Sequence, residues 1–556
     1  MSFNLPSARF SFTSILLFFS AVLAAQDNKV NNIFENYLNE IVLGILGVTV
    51  LLVLFVVYMV ADKLLKISSE KAKKDAGQES EDESPSILPS FDEVLPKNND
   101  YPHLNGAQVI KLKKGHDIKI RGRAIKEVSE DYFPSSYAVK PKDFVEMIPI
   151  PKLAVEVGAE VKAGDHIYFD KRRPEIFYTA PVSGEVAEVI RGEKRSINEI
   201  VILADKEVKF REFEKADPNT LDKKTITEKL LDSGCWPFIK QRPFNFVADP
   251  EEKPKAIFIS GFDTAPLSAN LNFTLQGESK AFQAGIDALR KLTDGKVHLS
   301  LDAKRKPCDT FENVQNIEKH YFEGPHPAGN VGIQIHHIDP IAKGEIAWTV
   351  GAQEVVFIGR LFLEGRFNTQ KLVAVAGPKV KNPSYIRTFP GANLEELINK
   401  QVDEENVRII SGDVLTGKKV VSKGFLGLFN NLISVIEEGD QYEMFGWLIP
   451  SYARPSISPT FPWTLFPNEE FDVNTNTHGE ARALVVTGQY EQVLPMNIYP
   501  VHLLKAIMAN DFELMEGLGI YEVVEEDMAL CEFVCTSKTN VQEILREGLD
   551  YMYEQS

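Results

Sequence analysis

The spacing of apolar positions divides this chain into a membrane-like beginning and a globular remainder. Residues 41–61 read IVLGILGVTVLLVLFVVYMVA, an unbroken apolar run with no charged side chain. At about 1.5 Å rise per residue it covers the roughly 30 Å hydrocarbon core of a bilayer, so it predicts a transmembrane helix. Residues 1–25 form a signal-like segment. Arg9 precedes the apolar stretch FSFTSILLFFSAVLAA, which ends in small residues. That layout fits a secretory signal cleaved near Ala24 or Ala25, or a first membrane helix that stays. Lys63, Lys66, Lys71, Lys73 and Lys74 crowd one side of the 41–61 run, and only Lys29 lies in the short segment before it. The positive-inside rule then puts the main body in the cytoplasm, with the chain crossing a cell membrane once if the signal is removed. Residues 62–104, polar and charged with prolines, predict a disordered linker.

Beyond the linker the period changes. Residues 105–250 are rich in β signals: alternation in VIKLKKGHDIKI and EIVIL, with turns at Lys114-Gly115 and Arg191-Gly192. Within them, VEVGAEVKAGDHIYFDKRRPEIFYTAPVSGEVAEVI resembles the hammerhead of lipoyl and biotinyl domains. The carrier-lysine position falls on Arg173, with Lys171 two residues earlier and no M-K-M context, so a barrel-sandwich fold without a swinging arm is expected. Residues 251–380 read as an α/β domain with a mostly parallel sheet. AIFISG, KVHLSLD and KLVAVAG are its strands. ESKAFQAGIDALRKL is an amphipathic helix, and a further helix occupies part of 344–363. Residues 381–490 form a β-rich insert of short strands between glycine turns. Residues 491–556 are a helical region, with amphipathic stretches over 502–518 and 541–553.

GPHPAGNVGIQIHHIDP, residues 324–340, is the most distinctive stretch. Glycines and prolines specify a shaped loop, and His320, His326, His336 and His337 gather around it although the chain holds ten histidines. The spacing suits a ligand site or a subunit contact, or a rigid turn whose histidines cap backbone groups. No strict metal-ligand spacing is present, so no metal is expected.

This stretch, together with VIKLKKGHDIKIRG, FYTAPVSGEVA and ALCEFVC in the same order, resembles the A subunit of the sodium-translocating NADH:quinone reductases of bacteria. The resemblance runs from about Val109 to the C-terminus and leaves the first hundred residues uncovered. It implies a β-grasp-like form for the 381–490 insert. The expected fold class is therefore α/β multidomain: barrel-sandwich (lipoyl/biotinyl-like) domain, α/β domain, β-grasp-like insert and C-terminal helical region, preceded by a transmembrane helix. The resemblance implies a component of a sodium-transporting NADH:ubiquinone reductase, a translocase of the bacterial inner membrane that oxidises NADH, reduces quinone and moves sodium. NADH, FMN, FAD, riboflavin and iron–sulfur centres would sit on partner subunits, and the membrane quinone and flavin subunits and membrane lipid would be the partners. This chain would bind no cofactor tightly and would contact quinone. His326, His336 and His337 offer donors, Tyr321 and Phe322 offer walls, and Gly324 and Gly329 let the backbone approach. The alternative is a membrane-tethered adaptor without a ligand.

Composition narrows the chemistry. A net charge of −18 excludes the basic field that nucleic acid needs. The strand AIFISG is followed by FDTAPLSANLNF, not G-x-G-x-x-G, and Thr416-Gly417-Lys418 is only a fragment of a phosphate-binding loop. A free-standing flavoenzyme is disfavoured accordingly. No G-x-S-x-G elbow or H-E-x-x-H pair appears, so no catalytic residue is assigned. Cys235, Cys308, Cys531 and Cys535 are too few for a disulfide scaffold. Cys531 and Cys535, four apart, fall short of the four thiolates of an iron–sulfur cluster and are expected as buried structural thiols.

Overall fold

The computed structural model describes residues 101–556, apart from 105, 130–132, 400, 403–405, 421–423, 447–453, 459–460, 462–468 and 556, and also residues 46, 47, 49, 50 and 53. The chain forms two compact units, Met1–Asp100 and Tyr101–Ser556. In the first, the described residues are helical and exposed. The signal-like segment, the greater part of the expected membrane helix and the linker up to Asp100 lie outside the described residues. Among the described residues no helix is long and apolar enough to cross a membrane. The end of the expected linker is structured: Pro102–Leu104 is a 3-10 turn with Leu104 buried.

The second unit opens with a β sandwich. Strands Ser136–Val139, Ile197–Ala204, Gly184–Arg191 and Glu160–Val161 make one antiparallel sheet, and Lys152–Leu153, His166–Asp170 and Arg173–Thr179 the other. Alternation places Ile167, Ile176, Tyr178, Val186, Ile200 and Ile202 in one buried cluster between them.

A seven-stranded sheet follows, ordered Val109–Lys111, Glu318–Glu323, Lys296–Asp302, Ala256–Ser260, Ala347–Val350, Ile239–Arg242, Phe246–Val247. The first five run parallel; Ile239–Arg242 runs antiparallel to them, and Phe246–Val247 antiparallel to Ile239–Arg242. Its central strands are buried along most of their length, as in sheets covered on both faces, with His298 and Ser300 set among apolar neighbours in Lys296–Asp302. Helices Ser279–Arg290 and Ala352–Glu364 pack Phe282, Ile286, Val355 and Ile358 into the same buried cluster as Ile257, Val297 and Leu299. The two helices touch through glycines: a Cβ at Gly285 or Gly359 would collide with the other helix's backbone.

Three sequence expectations need correction. Lys371–Ala376 does not join this sheet. It pairs with Ser384–Thr388 and Leu432–Glu437 in a separate five-stranded sheet that also holds Val407–Ser411 and Lys418–Val420. The stretch 324–340 is a loop only in its first half, because the apolar run after Asn330 forms the helix Val331–Ile338. The amphipathic stretch 502–518 is broken into Pro500–Met508 and Phe512–Gly517: Asn510 has φ 53° and Asp511 caps the second helix.

The C-terminal helices, ending in Glu525–Val534 and Val541–Gln555, share a core with the start of the unit. Leu112, Ile118 and Ile120 are buried among Val501, Leu504, Met528, Leu545 and Met552.

Candidate functional site

In the parallel sheet the chain steps from Ala256–Ser260 to Lys296–Asp302 on one side, then returns to Ala347–Val350 on the other. Open α/β sheets bind ligands outside the carboxyl ends of strands at such a switch point. A crevice of about 350 Å³ lies there. Ser260, Phe262 and Asp263 bound it after the first strand, and Val350, Gly351 and Gln353 after the second. Phe238, Lys240 and Arg242 supply another wall. The remaining sides come from the His326–Val331 loop, Asp413 and Phe429 near the five-stranded sheet, and Glu526 of the C-terminal helices.

The crevice is rich in charges withdrawn from water. Arg242 is buried, with Nη2 2.7 Å from Glu526 Oε1 and Nη1 3.1 Å from Asp527 Oδ2. Burial pulls its guanidinium down, but the Asp527 and Glu526 carboxylates outweigh this and hold it above its ordinary value. Burial pushes Asp527 and Asp263 up to about 6. Loss of solvent lowers Lys240, whose Nζ lies 3.9 Å from the centre of the Phe429 ring. Burial raises Glu354, which lines the crevice, and lowers Lys371 behind it to about 8. Lys371 Nζ donates to the Leu428 carbonyl at 2.9 Å. Such perturbed groups gathered in one cleft make it the candidate site.

The helix Ala352–Glu364 begins at the crevice with Gly351 as its N-cap. An open N-terminus there would attract phosphate. Here the Glu354 carboxylate folds back over it, in the space a Cβ on Gly351 would enter. That helix N-terminus, which follows Ala347–Val350, is therefore covered by an acidic side chain of its own first turn.

Of the residues singled out in the sequence, His326 and Gly329 line the crevice. His326 is buried, its Nδ1 3.1 Å from Thr264 Oγ1, and loss of solvent pushes its imidazole down to about 4. The Gly329 amide donates to Thr264 Oγ1 at 2.9 Å, and a Cβ there would lie 2.6 Å from the Thr264 nitrogen. The others face elsewhere. His336 Nδ1 contacts Glu522 Oε2 at 2.6 Å, and His337 Nε2 sits 2.8 Å from the Pro495 carbonyl. Both fasten the helix Val331–Ile338 to the C-terminal region. Tyr321 packs half-buried on the sandwich and α/β core, Phe322 is fully buried in the C-terminal core, and Gly324 makes room for Leu112. The helical period explains the split: residues 336 and 337 lie almost two turns beyond the loop.

Cys531 and Cys535 are both buried at the end of Glu525–Val534. The Tyr490 hydroxyl donates to Cys535 Sγ at 2.9 Å. Burial raises the Cys531 thiol strongly. Burial also acts to raise Cys535, but hydrogen bonds from Tyr490 and Thr539 outweigh it and lower that thiol. At the hairpin where lipoyl-type domains carry their lysine, the tip is Lys171-Arg172. Arg172 pairs with Asp170 at 2.8 Å and Arg173 donates to the Val247 carbonyl, so the tip is tied down.

Sequence reasoning missed Lys240, Arg242, Glu526 and Asp527. The acidic trio Glu525-Glu526-Asp527 opening a helix was the visible signal; its buried arginine partner was not.

Fold and crevice together define a multidomain protein built from a β sandwich, an α/β domain with a guarded switch-point crevice, and a second sheet domain sealed by C-terminal helices. The chain matches the family models for the NqrA N-terminal barrel-sandwich hybrid domain over residues 110–205, the NqrA second alpha/beta domain over 221–367 and the NQRA C-terminal domain over 372–422. It is 37% identical over 445 residues to the A subunit of the Na(+)-translocating NADH-quinone reductase from Vibrio atlanticus (strain LGP32), covering 80% of this chain and 99% of that one. It is 38% identical over 444 residues to the protein of the same name from Yersinia pestis bv. Antiqua (strain Angola), covering 79% and 98%. A crystal structure of NAD+-reducing [NiFe]-hydrogenase in the air-oxidized state aligns over 62% of each chain with a TM-score of 0.33 and 11% identity, too loose a likeness to argue from. The chain belongs to the A subunits of the Na(+)-translocating NADH-quinone reductases.

Proposed function

We propose that this chain is the A subunit of a membrane NADH:quinone oxidoreductase that couples electron transfer to sodium translocation, and that it carries no redox group of its own. What supports this is similarity along 98–99% of the length of relatives bearing that name. NADH, flavins and iron–sulfur centres belong to partner subunits in this reading, chiefly the membrane quinone and flavin subunits. The apolar run at 41–61 anchors the chain in the bacterial inner membrane, with the main body in the cytoplasm. The anchor raises the local concentration of the body beside its membrane partners.

Within the complex, the crevice takes a quinone headgroup. Phe238, Phe262 and Phe429 offer ring walls, and Lys240 faces the space with a donor. Its volume, about 350 Å³, lies in the range of small-ligand sites. His326 and Gly329 shape the floor; His336, His337, Tyr321, Phe322 and Gly324 support it from outside.

The test uses membranes with and without this chain. NADH-driven quinone reduction and sodium uptake are expected to vanish together without it and to return on adding it back. Full sodium-dependent activity in its absence would refute the proposed role. A photoreactive quinone is expected to label the crevice walls.

A second reading, a membrane-tethered adaptor without a ligand, is favoured by the internal pairing of Arg242 with Glu526 and Asp527. It gains ground if quinone labels only the partner subunits and leaves the thermal midpoint of the full-length chain unchanged.

A further inference from the structure

The seven-stranded sheet has a second cluster of chemistry at its other end. The crevice lies at the carboxyl ends of Ala256–Ser260 and Ala347–Val350. At the amino ends of the neighbouring strands, His298 pairs in register with Glu318, and Ser300 with His320. Side chains two apart on a strand share a face. Register therefore brings His298 beside Glu318 and His320, which lie 20 and 22 residues further along the chain.

The geometry is that of a ligand set. His298 Nδ1 lies 2.9 Å from His320 Nε2 and 3.8 Å from Glu318 Oε2. The three donor atoms all fall within 4.8 Å of one another. Ligands at roughly 2.0–2.2 Å from a tetrahedral zinc stand about 3.3 Å apart. The two observed separations straddle that edge, so small ring rotations would seat an ion. The surroundings hold the donors in place. The His298 ring stacks on Phe258 at 4.8 Å and is buried. Lys296 Nζ binds the other oxygen of Glu318, Oε1, at 2.6 Å, which leaves Oε2 turned towards the imidazoles. Outer partners that orient a ligand in this way are a regular part of metal sites. His320 is half-buried and Glu318 exposed, so an ion has a path from solvent and a place for water as fourth ligand.

We propose that His298, Glu318 and His320 form a binding site for one divalent transition-metal ion of zinc-like preference, joining the strands Lys296–Asp302 and Glu318–Glu323. In the empty site one ring proton lies between the two histidine nitrogens. On binding it moves to the far nitrogen of its own ring, so both imidazoles ligate in the neutral form and no oxidant or reductant takes part. The ion acts as a clip near the sheet edge, because Glu318–Glu323 also carries the edge strand Val109–Lys111.

The test uses the full-length chain in detergent, without a polyhistidine tag and stripped with a chelator. Zinc is titrated with metal analysis after dialysis, and cobalt with visible absorbance. One equivalent is expected, with tetrahedral cobalt bands, no thiolate charge-transfer band, and a thermal midpoint that rises with metal concentration. Glu318→Gln and His320→Gln, chosen because both side chains reach solvent, are each expected to weaken binding at least tenfold while folding normally. No uptake would overturn the proposal. So would uptake unchanged in both variants, or a thiolate band that assigns the metal to cysteines.

Discussion

Replacing Arg242 by methionine leaves the buried Asp527 carboxylate without its cation. Wild-type Asp527 contacts Arg242 Nη1 at 3.1 Å and accepts the Val524 amide at 3.1 Å, and its side chain is fully buried. Glu526 is exposed enough to find water once Arg242 is gone; Asp527 is not. Methionine fills much of the arginine stem's volume, so the cost is mainly electrostatic. Breaking a buried pair from one side costs about 3–5 kcal/mol. That is a large share of the roughly 5–15 kcal/mol that holds a domain folded. The effect depends on pH with a definite sign. Burial raises folded Asp527 to about 6 from an ordinary 3.8, so its contribution to stability is full below about 3.8 and is lost as pH rises through about 6. Without Arg242 the carboxyl rises further, and each added unit deepens the variant's deficit above that range by about 1.4 kcal/mol. Denaturant unfolding of wild type and R242M, followed by fluorescence at pH 5 and pH 8, measures the difference. A large deficit at pH 8 that shrinks at pH 5 is expected, and adding Asp527→Leu should recover most of it. A deficit below about 1 kcal/mol at pH 8, or one equal at both pH values, refutes the reasoning.

Other outcomes follow from the same contacts. Gly329→Ala places a Cβ 2.6 Å from the Thr264 nitrogen, so it should cost about 1–3 kcal/mol in a thermal or denaturant assay and weaken any ligand of the crevice. His336→Ala frees Glu522 and the helix Val331–Ile338, and should destabilise by about 1–3 kcal/mol while leaving a quinone-induced rise in thermal midpoint intact. Lys240→Met should abolish that rise with little loss of stability; the reverse pattern in these two variants would move the site out of the crevice. The intact mass of the chain should show no lipoyl or biotinyl adduct at Lys171, because the hairpin tip is fastened by Arg172 and Arg173.

Strands were legible where apolar runs ended in glycine or a turn. AIFISG, KVHLSLD and KLVAVAG correspond to Ala256–Ser260, Lys296–Asp302 and Lys371–Ala376. The sheet each joins was not legible, because periodicity reports burial and says nothing of partners. Lys371–Ala376 looks like a third α/β strand and pairs in another sheet. Glu318–Glu323, EKHYFE, is a strand in the parallel sheet, yet its polar, half-exposed residues carry no alternation that would reveal it. The residues of the histidine loop divide among crevice, core and C-terminal clamp. Composition singled out His326 and Gly329, which line the crevice. Arg242 could not, because its meaning depends on Asp527, which lies 285 positions away. The same distance effect hid His298, on another strand, beside Glu318 and His320.

The core that joins Leu112, Ile118 and Ile120 to Val501, Leu545 and Met552 carries a consequence for synthesis. A ribosome makes Leu112 some four hundred residues before the Leu545 and Met552 side chains that cover it. Until then those early apolar side chains lack part of their native cover, the kind of exposed surface that makes a folding chain prone to aggregate. That core therefore closes only once residues 541–555 have been made. A premature stop that removes Val541–Gln555 leaves the beginning of the body unfinished as well as its end.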